Sequence, residues 1–170
     1  MQATWWNSVA ATVQAEFSDS LDTEQFTRVV LRLLVAVLLG ALVGWERERH
    51  GSAAGLRTHM LVAVGAALFV LVPEQSGMDA DALSRVLQGV IAGIGFLGAG
   101  AVLKLSEQEQ IRGLTTAASI WATAAIGIAV GLGREATALL AALIVLMILS
   151  LVKRLERHIE RRAAASKRAK

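Results

Sequence analysis

The sequence predicts an all-α integral membrane protein: a bundle of about five transmembrane helices, N-terminus outside and C-terminus in the cytoplasm, with a short interfacial helix in front. Three observations carry that reading. Hydrophobic residues make up 55% of the chain and the mean hydropathy is +0.55. Charged residues reach only 18%, against about 25% in soluble domains. Apolar runs of roughly membrane length recur, and Lys and Arg crowd at one set of their ends. Aromatic residues are only 5%, so Leu, Ala, Val, Ile and Gly make the apolar mass, which suits close helix contact in lipid.

The organisation follows as an interfacial segment over 1–24, a five-helix domain over 25–152 and a basic cytoplasmic tail over 153–170. The first residues do not read as a signal peptide, because Glu16, Asp19, Asp22 and Glu24 follow early and no basic region precedes an apolar core. Trp5, Val9, Val13 and Phe17 recur at helical spacing, giving a stripe for a helix in the interface or against the bundle. The first span is Phe26 to Trp45, opened by a capping-box pattern of Asp22 and Gln25. The second runs from Leu56 to Val72 and is expected to stop at Pro73. The third covers Arg85 to Leu103, the fourth Leu114 to Leu132 and the fifth Ala136 to Val152. The tail continues the last helix, with Val152, Leu155 and Ile159 on one face.

Positive charge sets the direction. Arg47, Arg49, Arg57, Lys104, Arg112 and the Lys/Arg-rich tail fall on one side. Arg28, Arg32, Arg85 and Arg134 fall on the other, with Glu16, Asp19, Asp22, Glu24, Glu74, Asp79 and Asp81. The net charge of +3 and pI near 10.0 therefore mark orientation, not nucleic-acid binding. The absence of Cys excludes disulfides, thiolate metal sites and Cys nucleophiles.

Four groups of residues stand out. Glu46, Arg47 and Glu48 end the first span, and Arg57, Thr58 and His59 open the second. Carboxylates at a helix C-terminus oppose its dipole, so Glu46 and Glu48 are expected to lie near Arg47, Arg49, Arg57 or Arg112. That cluster reads as an ion-paired clamp or as a binding site, and Thr58 is placed to serve the N–H groups of the second helix. Gly89, Gly93, Gly95, Gly98 and Gly100 crowd the third span; they suit close packing, as do Gly40 and Gly44, or a locally opened helix lining a polar path.

Arg112, Thr115 and Thr116 open the fourth span, where Gly113-Leu114-Thr115-Thr116 echoes Gly55-Leu56-Arg57-Thr58. The echo suggests two repeated hairpins whose helix N-termini, with Arg57 and Arg112, form an anion site. Arg32 lies within the first span, about 20 Å from its cytoplasmic end at ~1.5 Å per residue. It either snorkels outward or meets Asp79, Asp81, Arg85 and Gln88 at the outer end of the third span.

Taken in order, GWERE (Gly44 to Glu48), AGLRTH (Ala54 to His59), GIGFLGAG (Gly93 to Gly100) and RGLTTAASIWATAAIG (Arg112 to Gly127) resemble the MgtC/SapB family of bacterial membrane proteins. The resemblance covers about Leu31 to Gly133 and concerns the membrane domain only, without the C-terminal ACT-like domain of larger members. It implies a multi-pass protein of the bacterial inner membrane that adapts cells to low magnesium, acid or phagosomal stress by modulating other membrane proteins. Two positions depart from virulence-type members: Thr115 and Ala122 stand where those carry Asn and Cys.

The leading expectation is a regulatory or stress-adaptation factor that contacts itself, as a homodimer, or another membrane protein within the bilayer. A transporter or channel for Mg²⁺ or protons is the alternative, with no Asp or Glu inside any predicted span to serve it. An enzyme is not expected, since the chain has no G-x-S-x-G, H-E-x-x-H or P-loop pattern. No resident metal or cofactor is expected, Mg²⁺ being the one ion left open, and no nucleic-acid partner.

Overall fold

In a computed structural model the protein is all-helical. It describes residues 2–16, 22–103 and 113–168, with side chains over 5–16, 22–102 and 113–151. Phe17, Asp19, Lys104 and Arg112 lie outside the described residues, as do the side chains of the tail. Among the described residues six helices follow in order: α1 (Gln2–Glu16), α2 (Thr23–Arg49), α3 (Leu56–Gln75), α4 (Ala80–Leu103), α5 (Leu114–Gly131) and α6 (Glu135–Arg168). Four are long and apolar enough to cross a membrane: α2, α3, α5 and, over Ala80–Val102, α4. The apolar part of α6, Glu135–Leu151, is shorter, at the lower limit of about 17 residues for a crossing.

The helices start and stop near the expected places. Asp22 caps α2 by accepting the Glu24 N–H at 3.1 Å, and Asp79 caps α4 through the Ala82 N–H at 2.7 Å. Pro73 does not end α3, which runs on to Gln75. A proline two residues from the end removes one N–H from the last turn, and the Ser76 N–H closes that turn on Val72 O at 3.1 Å.

The chain divides into two compact units, Met1–Leu31 and Arg32–Lys170, the boundary falling inside α2. In the first, Trp5 and Trp6 of α1 are exposed and meet edge to face at 4.5 Å. Arg28 pairs with Glu24 one turn back at 2.8 Å.

In the second unit the core is Ala36, Leu39 and Val43 of α2, Ala63 and Ala67 of α3, Ile126 and Val130 of α5, and Ala138 and Ala142 of α6. Alanine predominates because α3 is gripped from two sides at backbone distance. A Cβ on Gly40 would lie 2.7 Å from His59 O, and one on Gly44 2.7 Å from Leu56 Cα. On the opposite side a Cβ on Gly127 would overlap the Ala63 carbonyl oxygen, and one on Gly131 would lie 2.6 Å from Ala67 O. Gly40 and Gly44 thus pack as the sequence suggests, whereas the Gly127/Gly131 pair was hidden inside a run of Ala and Ile. Small residues that admit close backbone approach hold helices together where lipid removes the hydrophobic drive between them.

The glycines of α4 do not do this within the chain. Gly89, Gly93, Gly95 and Gly100 would each present a Cβ to open space, and Gly98 alone meets a neighbour, the Ala117 Cβ at 3.5 Å. Helix α4 contributes nothing to the core cluster.

Candidate functional site

Where α2 ends and α3 and α5 begin, the polar residues close on one another. Glu48 reaches past the α2–α3 turn and accepts the Leu56 N–H at 2.8 Å. Its carboxylate caps α3, whose own N-cap, Gly55, has no side chain to offer. Thr58 therefore does not serve as the cap. A negative charge already sits at the first helix N-terminus of the expected anion site. The echoed glycines also differ in shape, Gly55 being extended (φ −106) and Gly113 left-handed (φ 95). Glu46 turns to His50, with Oε1 3.0 Å from Nδ1, and stays close enough to Arg47 to favour its charge, but neither acid forms a salt bridge with an arginine among the described residues. Arg57 and Thr115 are exposed.

Arg47 lies against α5. Its Nη2 donates to Ser52 Oγ at 3.1 Å and to Thr116 Oγ1 at 3.5 Å, and the two hydroxyls lie 3.0 Å apart. Its Nε is buried without a described partner. One turn further in, His59 is fully buried. Nδ1 lies 2.8 Å from Gly55 O and Nε2 3.2 Å from Ser119 Oγ. With the Nδ1 proton on Gly55, a neutral ring accepts at Nε2 the hydroxyl proton that Ser119 otherwise gives to Thr116 O, at 2.8 Å. Thr123 donates to Ser119 O at 2.8 Å and completes the ladder. Sequence reasoning placed His59 at an edge. Thr116, Ser119 and Thr123, spaced three and four apart on one face of α5, were the signal that a polar group of α3 would be buried against them.

At the opposite end Arg32 is the centre of a second cluster, with a side chain only 12% exposed. Its Nη1 donates to Glu74 Oε2 at 2.6 Å and to Gly131 O at 2.8 Å, and its Nε lies 3.8 Å from Glu135 Oε1. Asp79, Asp81, Arg85 and Gln88 are not its partners, which corrects the expected grouping. The guanidinium instead ties α2 to the end of α3 and to the α5–α6 turn. Gly133 makes that turn at φ +67, and a Cβ there would overlap Arg32 Nη2. Because Glu74 and Glu135 lie at helix ends far apart in sequence, no local spacing pointed to them.

Three cavities touch α4, one of them, of about 360 Å³, between Thr58 and Val62 of α3, Leu97 and Ala101 of α4, and Thr116 and Ile120 of α5; the other two are grooves along its length. One, of about 650 Å³, runs between α3 and α4 and is lined by Leu61, Gly65, Phe69, Gly89, Gly93 and others, almost all apolar. The other, of about 320 Å³, lies between α4 and α5 beside Gly95, Gly98, Ala117 and Trp121. No group of three or more His, Cys, Asp or Glu able to hold a metal occurs among the described residues.

Comparison with known proteins returns one consistent relationship. A model of the MgtC family matches residues 33–158. SrpB of Synechococcus elongatus is 49% identical over 137 residues, which cover 74% of this chain and 75% of SrpB. MgtC of Salmonella typhimurium is 46% identical over 117 residues, covering 69% of this chain, and the chain spans only 49% of that relative's length. YhiD of Escherichia coli K12, named provisionally as a magnesium transporter, is 38% identical over 133 residues, covering 74% of this chain and 61% of its own. No solved structure matches.

Proposed function

The chain belongs to the MgtC family, and from that premise we propose that it is an inner-membrane regulatory or stress-adaptation factor, working by helix contacts with itself or another membrane protein. The observation that carries this reading is α4. A membrane-crossing helix that adds nothing to the core, with four glycines facing open space, is built to be covered by something else. The inward polar groups support it too. Glu48 and His59 are each satisfied by neighbours, and Arg32 is held through Nη1 although its Nε has no hydrogen-bond partner among the described residues; the partners are backbone groups, hydroxyls and helix-end acids. Residues spent on holding the bundle are not arranged as a ligand cage for a hydrated cation.

Transport of Mg²⁺ or protons is the second reading, favoured by the name that YhiD carries. Growth separates the two. A strain lacking this protein and grown at low Mg²⁺ or acid pH is expected to regain growth with the wild-type chain. It should stay impaired with Ala92→Trp, which fills the outward face of α4 without touching the core. Full rescue by Ala92→Trp would sink the contact reading.

A further inference from the structure

Resting on that contact reading, we propose that the outward ridge of α4 is the surface on which two copies of this chain pair, in parallel, about a two-fold axis. Asp81, Arg85, Gln88, Ala92, Phe96 and Ala99 recur at three- and four-residue spacing, share one face of α4 and are all exposed. Phe96 stands furthest out, at 82% exposure, with an apolar groove on either side of the helix. The buried side of α4 is minimal: Gly98 is its one buried position among the described residues.

The polar half of the ridge says what covers it. Asp81, Arg85 and Gln88 make no hydrogen bond or ion pair among the described residues, although they belong to a membrane-crossing helix. Gln88 lies eight residues past Ala80, about 12 Å along the axis at ~1.5 Å per residue. An unpaired amide at that depth demands a partner, and the opposite charges of Asp81 and Arg85 stand unpaired beyond it at the outer end of the helix. A lipid chain supplies none. A second copy supplies them: a two-fold axis parallel to α4 sets equal depths opposite each other, and the long Arg85 side chain, about 6 Å further along the axis, reaches across to the partner's Asp81. Each Gln88 amide, both donor and acceptor, meets the partner's Gln88. Deeper down, each Phe96 has a groove beside the partner helix to enter, so the patch complements itself as an isologous interface must. A parallel pair also keeps both copies in the single orientation that their charges dictate.

The chain has no Cys, so a single introduced thiol reports on contact without interference. Ala92→Cys, in the full chain and in native membrane vesicles, is expected to form an oxidant-induced band of twice the chain's mass. Leu140→Cys, also exposed, at 60%, but on α6, should not. Purified chains in liposomes give a second measurement through energy transfer between labelled copies. Asp81→Arg or Arg85→Asp alone should weaken pairing by about tenfold, since each removes two symmetry-related contacts. The double swap Asp81→Arg/Arg85→Asp should restore it to within about twofold of wild type by the same reciprocity. Absence of the Ala92→Cys dimer, equal trapping at both thiols, or no rescue by the double swap would overturn the proposal. Trapping of a different protein at Ala92→Cys would overturn the second copy as occupant while leaving the regulatory reading standing. Ion flux through vesicles would overturn the regulatory reading whatever the crosslink shows.

Discussion

Replacing Gly127 by Ala tests the grip on α3 more sharply than any charged substitution. The added Cβ would overlap the Ala63 carbonyl oxygen and lie 3.0 Å from both the Ala63 carbonyl carbon and Cα. All three are backbone atoms, so no rotamer change relieves the overlap and α5 must back away from α3. Overpacking of this kind costs about 1–3 kcal/mol, and an overlap with rigid backbone belongs at the upper end. Replacing a helical glycine by alanine returns up to ~1 kcal/mol of propensity, which leaves a net loss of about 2 kcal/mol. Gly65→Ala is the control: a glycine of α3 facing the α3–α4 groove, with no neighbour within 4 Å of the new methyl. It keeps the propensity gain of up to ~1 kcal/mol. On the soluble-protein scale of about 2–4 °C per kcal/mol, Gly127→Ala should melt about 4–8 °C below wild type and Gly65→Ala slightly above it. Thermal unfolding of purified protein in one detergent reads both. A Gly127→Ala variant as stable as wild type, or a Gly65→Ala variant equally damaged, would refute the packing argument.

Further outcomes follow from the polar clusters. Arg32→Leu strands Glu74 and frees Gly131 O, and should lower stability by about 2 kcal/mol, less than a fully buried pair because Glu74 is 40% exposed. Glu74→Gln keeps an acceptor for the guanidinium and should lose under ~1 kcal/mol in the same melt. Glu48→Ala uncaps α3 and should cost about 1 kcal/mol, with faster hydrogen exchange at the Leu56 amide, whereas Glu48→Gln should leave both near wild type. Gly133→Ala places a side chain at φ +67 and against Arg32 Nη2, costing about 1–3 kcal/mol. In a double-mutant cycle Gly133→Ala with Arg32→Ala should lose less than the two single losses combined.

Hydrophobic run lengths and turn residues made the helices legible, since a span must be continuous and apolar whatever it packs against. Pro73 misled by three residues because its effect on a helix depends on how near the end it falls. The candidate sites were legible as groups and not as pairings. Glu48 was marked by its position at a helix end, yet its partner is a backbone N–H that no sequence displays. Arg32 stood out as a charge within a span, but the acids that hold it come from the ends of α3 and the start of α6. Glycine density pointed at α4, where the chain packs loosely, and passed over Gly127 and Gly131, where it packs tightest. Density registers how much room glycines leave, whereas packing depends on which face meets a backbone.

Contact within the bilayer, and not passage across it, is the central claim, and ion flux addresses it most directly. Purified full-length chain in sealed liposomes, loaded with Mg²⁺- or pH-sensitive dye, should pass neither Mg²⁺ nor protons faster than protein-free vesicles. A saturable flux that falls when Gly95 or Asp81 is replaced would contradict the account.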